Sequence, residues 1–158
     1  MQLSPSAVAD EREWVRNRTE AVTLINRVRA DLGEAFGTDV ASVSESAYRD
    51  EVDAVFADGD LAVNVAALVA VLRDLDVDDD YPGFVVDELL GRELAGMIAG
   101  TQPLRLLGEA TFHYADVMHH ADDEAAGLDD LDAALAAGFQ TRLPGWSWTE
   151  SESPFSVE

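Results

Sequence analysis

The stretch from Leu61 to Leu72 is apolar except for Asn64. As a helix it would be apolar nearly all round and could present no face to water, so the rest of the chain has to wrap it. It is too short for a membrane helix, which needs about 18 consecutive apolar residues. The alternation Val63, Val65, Ala67, Val69, Val71 would also suit a strand. The length of the run, its Ala and Leu content and the absence of any turn signal favour a helix from Leu61 to about Leu75. A chain of 158 residues is the size of one ordinary domain, so this segment is expected to be the central helix of a single bundle.

The other segments read as helices around it. Ser4-Pro5-Ser6 is a helix start, and the pattern from Val8 to Leu32, stopped by Gly33, predicts one long first helix. A second begins near Ser42 or Ser44, carries Tyr48, Val52, Val55 and Phe56 at helical spacing and stops at Gly59, with Asp60 placed to cap the third. The turn Asp78 to Gly83 opens a fourth helix, from about Pro82 to Ile98, closed by Gly100. Thr101 caps a fifth, with Pro103 in its first turn, reaching about Glu124. Asp129 and Asp130 open a short sixth, Leu131 to Ala137, ended by Gly138. The expectation is therefore an all-α, single-domain bundle of five or six helices over residues 1–138, with the first and fifth packed around the third. Residues 139–158, which hold Phe139, Trp146, Trp148 and Phe155, form an irregular aromatic-bearing tail expected to pack on the bundle.

Charge decides which functions fit. The chain carries 32 acidic residues against 10 basic ones, a net −22, and every basic residue is Arg. With 47% hydrophobic residues it is not a disordered polyanion. The composition resembles that of proteins that work in a cytoplasm of very high salt, and a cytoplasmic location is expected. The start of the chain has neither the basic nor the apolar region of a secretory signal. Direct binding of nucleic acid is disfavoured because it needs a basic patch, and no membrane association is expected. Without cysteine there are no disulfides and no thiolate metal sites. Self-repulsion weakens as the screening length falls from about 10 Å at 0.1 M salt to about 3 Å at 1 M. The melting temperature should therefore climb steadily from dilute buffer to molar KCl; a flat profile would show that the carboxylates hardly repel one another.

Two constellations could carry function. Glu109, His113, Asp116 and His120 step by four, three and four along the fifth helix and fall within roughly 60° on the helix wheel. Such a stripe could ligate a divalent transition metal if a second helix completed the site. It lies opposite the apolar side made by Leu104, Leu107, Thr111, Tyr114 and Met118, however, and is expected to be a solvated face. Neither Glu-x-x-His nor His-Glu-x-x-His occurs. Arg18 and Arg29 lie about 20° apart within the apolar sector of the first helix; they either pair with carboxylates of the chain or serve an anion-binding cleft or a subunit interface. Trp146 and Trp148 project to one side of an extended segment, as a covering tail or a docking tail. No phosphate loop, nucleophile elbow or cysteine is present, and no cofactor is implied. The expected function is non-catalytic: binding of a protein partner or self-association through Arg18, Arg29, Trp146 and Trp148. The alternative is a metal-binding or metal-dependent protein using Glu109, His113, Asp116 and His120.

Overall fold

The computed structural model describes residues 2–101, 105–118 and 126–146. They are all-α, with no strand among them, and form seven helices rather than five or six. Helix α1 is Pro5–Arg16, α2 Thr19–Phe36, α3 Glu45–Ala57 and α4 Gly59–Asp74. Helix α5 covers 80–99 as one continuous rod, made of Asp80–Phe84, a π-helical turn Val85–Gly91 and Arg92–Ala99. Helix α6 is Arg105–Met118 and α7 is Ala126–Gln140.

Local chemistry explains most of the boundaries. The Ser4 hydroxyl accepts the Ala7 N–H and Pro5 occupies the first turn, starting α1. Ser44 does the same for α3 through the Ala47 N–H. Asp58, rather than Asp60, caps α4 by accepting from the Leu61 N–H while also ending α3. The chain turns by 113° there.

The extra helix comes from a break inside the predicted first one. At Asn17 and Arg18 the backbone leaves helical geometry; Arg18 becomes the N-cap of α2. The Asn17 N–H still bonds to Glu13 and the Arg18 N–H to Val15, so the turn costs few backbone bonds. It lets α1 lie on α3 and α4 while α2 lies on α7. Gly33, expected as the stop, is a buried interior position of α2, and Gly37, with φ 63°, caps the helix instead.

The centre of the bundle is also not where the apolar run suggested. Helix α4 buries Ala62, Val65, Ala66, Val69, Ala70 and Leu72 but leaves Val63 substantially exposed. The helix wrapped by the others is α7, which packs on α2, α4, α5 and α6, with every residue from Asp130 to Thr141 buried. Its alanines at 133, 134, 136 and 137 are thin enough for neighbours to approach from all sides. Gly138 is an inner position of α7 and not a stop. A Cβ there would lie 2.6 Å from Ile98 Cβ, so only glycine allows α7 to press this closely on α5. Beyond α7, Leu143 and Trp146 complete the core. No single described helix is long and apolar enough to cross a membrane.

Candidate metal centre

The two arginines singled out by the sequence, and Trp146, are engaged within the chain. Arg18 donates through Nε and Nη2 to both oxygens of Asp132, at 2.7 and 2.8 Å, and lies 5.2 Å from the Trp14 ring centre. Arg29 is 1% exposed. It donates to Gln140 Oε1 at 2.7 Å and to the carbonyls of Ala41 and Pro144 at 2.8 and 2.6 Å, and stacks on Trp146. Burial lowers the Arg29 guanidinium to about 10, which leaves it protonated at neutral pH. Trp146 is buried; Trp148 lies outside the described residues.

The stripe on the fifth predicted helix, now α6, disperses. Glu109 accepts from Arg92, which also donates to Glu88 at 2.8 Å. His113 is exposed, edge-on to Tyr114. His120 lies outside the described residues. Of the three described members, Asp116 alone turns towards other potential ligands, and these are two acids from other helices, Asp87 and Asp130.

Asp87, Asp116 and Asp130 each bring one carboxylate oxygen to a common point, all within 4.8 Å of one another. Three helices supply them. Asp87 sits in the π-helical turn of α5, Asp116 near the end of α6 and Asp130 near the start of α7. Helices α5 and α6 are held close one turn away, where a Cβ on Gly91 would lie 3.1 Å from the Phe112 ring. Next to Gly91, Arg92 reaches across to Glu109, one turn from Phe112. This register sets Asp87 opposite Asp116. A π-helical turn carries extra residues per turn and re-aims the side chains it bears, which is why such turns recur at functional sites.

The electrostatics of the cluster are unfavourable as it stands. Asp130 is 5% exposed. The three carboxyls stand close enough for the charge on one to oppose ionisation of the next. Desolvation first, then the charge of Asp116, pushes Asp87 up to about 7. Desolvation, followed by the charges of Asp87, Asp116 and Asp129, pushes Asp130 up to about 8. Asp87 Oδ1 is fully buried and accepts no hydrogen bond. Two aspartates are buried among the described residues, Asp130 and Asp132. Arg18 neutralises Asp132; no arginine reaches Asp130.

Such a set fits a cation. Hard divalent ions take oxygen ligands at about 2.0–2.6 Å, so oxygens on opposite sides of one ion stand about 4–5 Å apart. The three carboxylate oxygens fall within that span. With no nitrogen or sulfur donor, the set suits magnesium, calcium or manganese better than zinc or copper.

The fold and the cluster define an all-α protein with a cluster of three aspartates, one buried and two half-buried, at the junction of three helices. The chain belongs to the family described as "Domain of unknown function (DUF7984)", whose pattern covers residues 1–158. No curated protein and no solved structure matches it.

Proposed function

We propose that the protein binds a hard divalent cation, with Asp87, Asp116 and Asp130 as its carboxylate ligands. One observation carries this reading: Asp130 is buried and its partners among the described residues are other acids, whereas the other buried aspartate has a bidentate arginine. A cation would balance the charge that desolvation makes costly and would release the protons the cluster otherwise holds. Of the described residues of the stripe weighed from the sequence, Asp116 belongs to this set and Glu109 and His113 do not. A partner-binding role draws no support from Arg18, Arg29 or Trp146, whose contacts are intrachain.

The test couples metal to pH. In the metal-free protein, the unfolded carboxyls ionise near pH 4, while Asp87 and Asp130 hold their protons in the fold until about 7 and 8. Over that window the unfolded chain binds fewer protons than the folded one, so this contribution to stability falls as pH rises. Divalent ions should do the reverse, with a gain that grows from pH 5 to pH 8. At a hundredfold excess over Kd the gain is about 2.7 kcal/mol, or about 5–10 °C in Tm for a chain of this size. Asp130→Asn should flatten the pH profile and abolish the response to manganese. The reading fails if magnesium, calcium and manganese all leave Tm unmoved at pH 8 and the paramagnetic resonance of added manganese stays that of the free ion.

A further inference from the structure

On the other side of the π-helical turn lies an open groove of about 520 Å³ between the end of α4 and α5. Val71, Leu75, Val77, Val85 and Leu90 make it apolar, and Tyr81, 76% exposed, stands at its edge. Phe84, half exposed, extends the apolar surface along α5. Exposed aromatic and aliphatic side chains next to a groove are the material of anchor sites.

The rim is acidic: Asp74 pairs with Arg73 at 3.3 Å, and no basic residue lies beyond it in the segment. Of the seven residues 74–80, five are aspartate, and the segment alternates: Asp74, Asp76 and Asp78 are exposed while Leu75 and Val77 are half-buried towards the groove. Asp76 and Asp78 border the groove itself, and no arginine does. Charge complementarity selects the occupant. Residues 147–158 carry Glu150, Glu152 and Glu158 and no basic residue, so like charge opposes their seating there. A second copy brings another −22. Nucleic acids and anionic lipid surfaces are repelled for the same reason.

We propose that this groove docks a peptide segment of a partner protein in which apolar side chains are flanked by Lys or Arg. The apolar side chains fill the space over Leu75, Val77 and Leu90, and the basic ones meet Asp76 and Asp78. Desolvated anchors supply affinity and the rim charges supply orientation and on-rate.

The probe is a dye-labelled peptide of alternating leucine and lysine, followed by anisotropy at the lowest KCl concentration at which the protein stays folded. A serine-for-leucine peptide of equal charge serves as control. Tyr81→Ala, and separately Asp76→Asn with Asp78→Asn, change exposed side chains, so the melting temperature should confirm that they fold. Each should weaken binding by roughly tenfold, the size of a lost anchor or a pair of charge contacts. Glu34→Gln with Asp39→Asn removes the same charge outside the groove and should leave affinity within about a factor of two. Equal binding of the serine peptide, or equal weakening by the Glu34 and Asp39 variant, would reduce the effect to general attraction for a polyanion and overturn the proposal. A wild type that dimerises until Tyr81→Ala separates it would overturn it as well, in favour of a second copy as occupant.

Discussion

Replacing Arg29 by alanine should cost about 4 kcal/mol or more, the largest loss expected from any single substitution in this chain. Arg29 heads the fully buried side chains by volume, so truncation opens a cavity. It also strands Gln140 Oε1 and the Ala41 and Pro144 carbonyls, each now bonded to a charged donor. At about 2–4 °C per kcal/mol, Tm should fall by more than 8 °C. Arg29→Met, which keeps much of the volume but none of the donors, should fall between wild type and alanine. Arg29→Lys should be little better, since one ammonium cannot replace the planar fork that reaches Gln140 and two carbonyls at once. Melts in molar KCl that differ from wild type by a degree or two would mean that the guanidinium network contributes no net stability.

Arg18→Ala should destabilise by about 3–5 kcal/mol, for a different reason: it takes the bidentate guanidinium away from the buried carboxylate of Asp132, whose side chain is 5% exposed. Tyr48 sits in the same field, its hydroxyl donating to the Val15 carbonyl at 2.9 Å and its ionisation opposed by burial and by Asp132. Removing both charges, Arg18→Met with Asp132→Leu, should recover most of the loss, because a buried pair exchanged for apolar groups of similar volume is close to neutral. A double variant as unstable as the single one would place the cost in packing against Trp14 instead. Light scattering on the same proteins reads association: a shift in oligomeric state larger than the shift in Tm would return Arg18 to the interface role weighed from the sequence.

The all-α class and the helix start at Pro5 could be read directly, the latter from Ser4-Pro5; the starts at Glu45 and Asp80 were legible to within a turn, from the serines at 42 and 44 and from the aspartates before Tyr81. These are local signals, and local chemistry decides them. The break at Asn17 could not be read, because Trp14, Val15, Ala21 and Val22 continue one apolar stripe across it; only the packing partners, α3 and α4 on one side and α7 on the other, show that two helices share that stripe. The central place of α7 was hidden by its own aspartates. Asp129, Asp130 and Asp132 look like the solvated opening of a peripheral helix, and the groups that meet the two buried ones lie far off in sequence: Arg18 for Asp132, the acids Asp87 and Asp116 for Asp130. Periodicity on α6 did single out Asp116, but it supplied the neighbours along the same helix, whereas the acids that converge come from other helices. Nothing in Val85–Gly91 distinguishes a π-helical turn from an α-helical one.

Because the helix that the others surround comes near the end of the described chain, synthesis and folding are ordered in time. As the polypeptide leaves the ribosome, α1 to α6 emerge with apolar faces that have one another to touch but lack the surface on which α2, α5 and α6 close. The Arg18 and Arg29 side chains meanwhile have no Asp132 and no Gln140 to meet. Closure of α2, α5 and α6 around α7 therefore comes last, and until then like charge opposes contact between one nascent chain and another. The acidity that burdens the finished fold protects the unfinished one.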